Sequence, residues 1–197
     1  MPKGIPLTEE EQGRKRDEIM EITTRLFAEK GFLETSMREI AEAVGMGKST
    51  LYDYYKTKDD ILVSYFENEI HALTAQVETI NQTEQPAVEK LRQALQANLD
   101  YLLANKTMYF KLTVEAQRLG MESQKRIQIC RHSYQDMICK MIDDGIKEGS
   151  FRPVDPLLTM RIILSTLSPV VFTTRPTGTP QEMLNAALDI ILKGILA

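Results

Sequence analysis

From Arg14 to Leu196 the apolar residues recur three or four positions apart, segment after segment, which is the period of an α-helix that buries one face. Only 10 glycines and 8 prolines punctuate 197 residues, so long helices run with few breakers and the chain reads as all-α. At 43% hydrophobic residues it can build one or two globular domains with a real core. The longest apolar stretch, Ile162 to Phe172, is interrupted by Ser165, Thr166, Ser168 and Pro169. It falls short of the roughly 20 residues that cross a bilayer. The opening residues, Met1 to Glu11, lack the apolar core and small-residue cleavage site of an export signal, so the expected location is the cytoplasm.

Little in the sequence points to catalysis. Cys130 and Cys139 fall on opposite faces of a helical segment, roughly 13 Å apart along its axis, too far for a disulfide. His71 and His132 are isolated, with no ligand spacing around them. Neither a glycine-rich phosphate loop nor a G-x-S-x-G turn is present. The expectation is a protein that is not an enzyme and uses no metal or cofactor.

The net charge of −4 argues weakly against nucleic acid, and residues 1–60 hold ten basic against thirteen acidic side chains. Position matters more than the sum. Arg14, Lys15 and Arg16 form one basic cluster, and Lys48, Lys56 and Lys58 form a second around Asp53. Between them lie short helical segments. Ile19, Ile22, Leu26 and Phe27 mark a first helix from about Arg14 to Lys30, stopped at Gly31. Ser36 and Glu39 make a capping box for a second, short helix with Ile40, Ala41 and Val44 inward. Gly45-Met46-Gly47 breaks it, and Lys48 to Tyr55 restart a helix with Leu51 and Tyr55 on one face. Thr57 and Asp60 cap a fourth helix that has Lys58 in its first turn. The second and third helices read as a helix-turn-helix.

Three runs then carry a family resemblance: Phe27 to Phe32, Thr35 to Ala41, and Gly45 to Leu62. With these the chain resembles the TetR family of bacterial transcriptional regulators over roughly residues 14–66. Tyr54-Tyr55 stands where family proteins typically carry His-Phe, so a phosphate contact made by that His would fall to the Tyr54 hydroxyl. The resemblance implies a flexible tail over residues 1–13, a helix-turn-helix DNA-binding domain over 14–60, and a helical ligand-binding and dimerisation domain over 61–197. It places Thr35, Ser36, Tyr52, Tyr54 and Lys58 against the DNA backbone, with Gly47, Lys48, Ser49 and Thr50 facing base edges in the major groove. Physical reasoning agrees, since hydroxyls and helix N-termini suit phosphate and a lysine at the leading edge suits guanine. Each position also has an ordinary reading: Ser36 as a cap, Tyr52 as packing, Lys56 as a solvated charge.

Further helices are expected over Pro86 to Asn105, Thr107 to Leu119, Ser123 to Lys147, Leu157 to Thr174 and Gln181 to Leu196. The last two are apolar on more than one stripe, which suggests an oligomer, against the alternative of a monomer with a thick interior. The resemblance implies a homodimer in which these two helices join their copies in a four-helix bundle. Such a dimer would read a near-palindromic double-stranded DNA operator, its half-sites about 34 to 36 Å apart or a multiple of that. The resemblance also implies a pocket for a small hydrophobic or amphipathic inducer. Candidate walls are Tyr101, Met108, Tyr109, Phe110, Gln117, Tyr134, Met137 and Phe172, with Cys130 and His132 nearby; plain core packing is the alternative for each. The implied activity is that of a ligand-released repressor. The competing classes are an enzyme that keeps the helix-turn-helix as scaffold and a helical adaptor for another protein.

Overall fold

A computed structural model describes residues 8–195, and among them the chain forms ten helices and no extended strand. Their order is α1 (Glu9–Lys30), α2 (Met37–Val44), α3 (Lys48–Tyr54), α4 (Lys58–Asn81), α5 (Ala87–Ala104), α6 (Lys106–Ala116), α7 (Met121–Lys147), α8 (Pro156–Ser165), α9 (Leu167–Phe172) and α10 (Pro180–Ile195). No helix among the described residues is long and apolar enough to cross a membrane.

The start of α1 and the break between α8 and α9 differ from the sequence expectation, each for a local reason, and α6 ends at Ala116 where Leu119 is expected. Residues 9–13, expected in a flexible tail, are helical. Thr8 caps α1 by accepting from the Glu11 N–H at 3.2 Å, while the Glu11 carboxylate accepts from the Thr8 N–H at 2.8 Å. Residues 1–7 of that tail, and Leu196 at the far end, lie outside the described residues. The expected helix from Leu157 to Thr174 is two helices, α8 and α9, parted at Thr166. Pro169 has no N–H to give the carbonyl of Ser165, and its ring crowds that carbonyl, so it is tolerated only in the first turn of a new helix.

The chain divides into two compact units: residues up to Asn68 with Thr107–Ile127, and Glu69–Lys106 with Gln128–Ala197. In the first unit α1 packs on α2 and α2 on α3. Ile19, Phe27, Ile40 and Leu51 are fully buried there, and Phe27 meets Phe32 edge to face at 5.0 Å. The turns between these helices are fixed by their ends. Ser36 and Glu39 form the expected capping box on α2. Gly45 closes α2 at φ 72°, left-handed backbone that favours glycine, with its N–H and that of Met46 returned to the last turn. Glu39 also meets the Lys30 ammonium at the end of α1. That ammonium, with the Ser36 N–H and hydroxyl, holds the Glu39 carboxyl down at about 2.

In the second unit α9 packs on α5, α8 and α10. The aromatic anchor is Phe151, 1% exposed, whose ring fills the space beside Gly145 in α7. A methyl group on Gly145 would fall onto that ring and come within 3.0 Å of the Ala87 Cβ. Arg152 then ties this turn to the end of α10, donating its N–H to the Ile195 carbonyl at 2.8 Å and its Nε–H to that of Gly194 at 2.6 Å.

Two expectations follow. Gly145→Ala should destabilise the chain by about 1–3 kcal/mol through overpacking. Gly13→Ala, in a helix with open space around the new methyl, should stabilise it by about 0.5–1 kcal/mol; urea unfolding of both variants checks the pair. A carboxyl whose pKa is depressed by folding contributes stability that is complete above its unfolded pKa and is lost as pH falls through the folded one. The Glu39 box should therefore remain ionised down to about pH 3, with a midpoint of about 2 by carboxyl NMR titration, and Lys30→Met should move that midpoint upward.

Candidate DNA-reading surface and helical body

The candidate surface is built on α3, which is only seven residues long. Leu51 is 0% exposed and Tyr55, one turn on, is 5% exposed, so this side of the segment is committed to the interior. The Tyr55 hydroxyl donates to the Arg16 carbonyl at 3.3 Å, and the Arg16 guanidinium lies 5.7 Å from the centre of the Tyr55 ring. The first turn of the segment and its remaining sides reach solvent. Gly47, Lys48, Ser49 and Thr50 are all exposed. Gly47 caps α3 without a side chain, so no side-chain oxygen occupies the first amides of the helix. Lys48 stands 5.8 Å from the centre of the Tyr52 ring, one helical turn away.

The residues expected at the DNA backbone divide into two groups. Ser36 is exposed, but its N–H and hydroxyl both donate to Glu39, at 2.8 Å each, so its capping role is fulfilled whatever else it touches. Tyr52 and Tyr54 are half-buried. Lys56 is exposed, and its ammonium donates to the Tyr52 carbonyl at 2.6 Å. Thr35 differs from the expectation of a surface hydroxyl: it is 1% exposed, and its Oγ1 donates to the Gly31 carbonyl at 2.7 Å. Lys58 is also turned into the chain, its ammonium donating to the carbonyls of Phe32, Thr35 and Leu33. Neither arrangement has a sequence signature, because backbone carbonyls are the partners.

The candidate ligand residues are likewise not uniform. In the first unit, Met108 and Tyr109 are half-buried, whereas Phe110, 57% exposed, and Gln117 point outward. In the second unit, Tyr101, Cys130, Met137 and Phe172 are half-buried and His132 is exposed. Phe110, Gln117 and His132 are thus not enclosed by their own chain. Tyr134 is buried, and its Oη accepts from the Asn98 Nδ2 at 2.8 Å. Burial pushes the Tyr134 phenol up to about 12 against the opposing effect of Asn98, so it is a neutral O–H donor at physiological pH. Asn98 was invisible to sequence reasoning, since it lies 36 positions away from its partner. Cys130 Sγ lies 3.8 Å from His71 Nε2. Among the described residues no three His, Cys, Asp or Glu side chains gather as a metal site would need.

Residues 19–65 match the family described as bacterial regulatory proteins, tetR family, and residues 84–195 match the tetracyclin repressor-like C-terminal domain. The transcriptional repressor KstR2 of Mycobacterium tuberculosis is 28% identical over 92% of this chain and 92% of its own. The solved structure of KstR2, described as a ketosteroid transcriptional regulator, superposes with a TM-score of 0.70 at 27% identity over 93% of this chain and 95% of that one. AibR, in complex with isovaleryl coenzyme A and operator DNA, has the same fold at a TM-score of 0.69 and 23% identity, over 89% of this chain and 97% of that one. So does FadR of Bacillus subtilis in complex with stearoyl-CoA, at a TM-score of 0.78 and 22% identity, over 91% and 98%. With two family domains matched across most of its length and a helix-turn-helix whose reading helix faces outward, this chain belongs to the TetR family of DNA-binding transcriptional regulators.

Proposed function

We propose that this chain is a homodimeric repressor that binds a near-palindromic operator and is released by a small hydrophobic or amphipathic molecule. The observation that carries the reading is the outward face of α3: Gly47, Lys48, Ser49 and Thr50 are exposed while Leu51 behind them is fully buried. In this reading residues 14–60 are the DNA-binding domain, and those four residues meet base edges, with Lys48 on guanine. Ser36, Tyr52 and Tyr54 lie along the sugar-phosphate backbone, Tyr54 through its hydroxyl. The excess of acid over base in the chain is no obstacle, because local position outweighs the sum and one acid each of α1 and α2 is paired within its own helix. Lys15 meets Glu18 at 2.7 Å and Arg38 meets Glu42 at 2.9 Å.

The dimer is argued from apolar residues that the chain leaves uncovered in its last helices. Leu157, Leu158 and Ile162 of α8 and Ile190 of α10 are all exposed, Ile190 at 74%. The opposite faces of these helices, with Met160, Ile163, Leu184, Leu188 and Leu192, form part of the core. A two-fold axis through the outward faces would bury both copies of that surface in a four-helix bundle.

Ligand binding is assigned to the helices that follow the DNA-binding domain, within residues 61–197. The support is a set of aromatic and Met side chains with one part-buried polar pair, half-buried Asn98 and buried Tyr134. Two proteins of the same fold hold acyl-CoA molecules, which are amphipathic. Release requires that the ligand prefer a conformation in which the recognition helices no longer match their half-sites. Each tenfold preference shifts the equilibrium by about 1.4 kcal/mol.

Footprinting with the promoter fragment beside the protein's own gene should reveal two related half-sites. Failure to protect any sequence selectively in the ligand-free state would favour a scaffold or adaptor role. Within a protected site, Lys48→Ala should relax base preference at one position per half-site, at a cost of about 1–3 kcal/mol of discrimination, and competition binding against single-base variants reads it directly. Ile190→Glu should convert the dimer to a monomer in sedimentation and abolish tight operator binding; an unchanged sedimentation coefficient would remove this face from the interface.

A further inference from the structure

We infer that Lys58 is a positioning residue for DNA binding: its ammonium fastens the turn between α1 and α2 to the start of α4, and so sets the helix-turn-helix without itself meeting phosphate. The inference rests on the DNA-binding reading above. It concerns a lysine whose place in the sequence suggests a backbone contact and whose surroundings say otherwise.

An ammonium carries three N–H donors and no acceptor. At Lys58 the Nζ lies 2.5 Å from the Phe32 carbonyl, 3.0 Å from that of Thr35 and 3.3 Å from that of Leu33. It also stands 4.4 Å from the centre of the Phe32 ring. Three carbonyls match three donors, and the aromatic face takes a further side of the cation. Reaching a phosphate would withdraw at least one donor from a carbonyl of this turn. The turn is also held from within, since the buried Thr35 hydroxyl donates to the Gly31 carbonyl at 2.7 Å. The next residue is Ser36, the N-cap of α2. Lys58 itself is fixed because the start of α4 is fixed. Thr57 donates its N–H and hydroxyl to Asp60 at 3.0 and 2.8 Å, and accepts from the Asp60 N–H at 3.1 Å. Arg126 of α7 forks onto Glu67 at 3.1 and 2.9 Å and reaches Asp60 at 3.4 Å. The path of the force is thus α4, Lys58, three carbonyls, Ser36, α2, α3.

A cation on phosphate and a cation on carbonyls differ in the counterions released on binding, so they are separable by salt dependence. The test measures binding of the full-length protein to the duplex found by footprinting, by fluorescence anisotropy between about 50 and 200 mM salt. The variants are Lys58→Met and Lys58→Arg. Lys58→Met should weaken binding by about tenfold at every salt concentration, the scale of a lost set of charge-assisted bonds. The slope of log K against log salt should stay within about 0.3 of the parent's. Amide exchange of Thr35 and Ser36 should quicken. Lys58→Arg decides the matter even if the Met variant folds poorly. An arginine serves a phosphate as well as a lysine does, but its planar fork does not fit three convergent carbonyls, so the inference expects affinity to fall with the slope retained. A slope reduced by about 0.9 in Lys58→Met, one phosphate's worth, would overturn the inference, as would full affinity in either variant. If the unaltered protein retains no duplex selectively, the DNA-binding reading itself falls, and that outcome is distinct from a changed slope.

Discussion

The arrangement of this protein's reading surface depends on the burial of Leu51 and Tyr55. A helix of seven residues has too few side chains to divide its loyalties. With Leu51 fully enclosed and Tyr55 nearly so, Ser49 and Thr50 lie on sides turned from the core, while Gly47 and Lys48 are exposed because they open the segment at its N-terminal end. The same burial ties α3 to α1, through the Tyr55 hydroxyl on the Arg16 carbonyl and the Arg16 guanidinium near the Tyr55 ring. Orientation of the outward residues is therefore a product of core packing, and their own chemistry is left unconstrained by the fold. That separation lets one scaffold present different side chains to DNA.

Charge is distributed with the same economy. The first helix has a basic cluster, but Lys15 is bound to Glu18 and Arg16 lies near Tyr55, so part of that cluster works inside the protein. Exposed ion pairs of this kind hold little net energy and can exchange partners for phosphate. Lys58 is different, because three carbonyls and an aromatic face surround its ammonium. A net charge of −4 is thus compatible with a DNA-binding surface. What a polyanion would meet in the proposed complex is the local arrangement at α3, and some of the acids elsewhere are engaged by neighbouring lysines and arginines or, like Asp60 and Glu39, in helix caps.

The helix-turn-helix was legible in the sequence because its signals are local. The Ser36 and Glu39 box, the left-handed Gly45 and the Thr57 and Asp60 cap all act within a few residues, and each has a residue type that the geometry demands. The start of α1 escaped because the Thr8 and Glu11 box sits in a run of acids that reads equally well as a solvated tail. The break between α8 and α9 escaped because apolar periodicity continues across it, while Pro169 acts through a single missing N–H. The body of the protein was least legible. An aromatic or Met side chain is written the same way whether it packs a core or faces outward, and only the fold separates buried Tyr134 from exposed Phe110. The partners of Tyr134 and Lys58 lie 36 and up to 26 positions away, beyond any local signature.

The central claim is that the outward face of α3 is where this protein meets DNA. Amide hydrogen exchange on the full-length protein, with and without a duplex that it retains, tests this most directly. The account predicts new protection concentrated over residues 36–38 and 47–54, with the buried segments of α1 and α4 unchanged. Protection that leaves residues 47–54 untouched and appears on another face would contradict it.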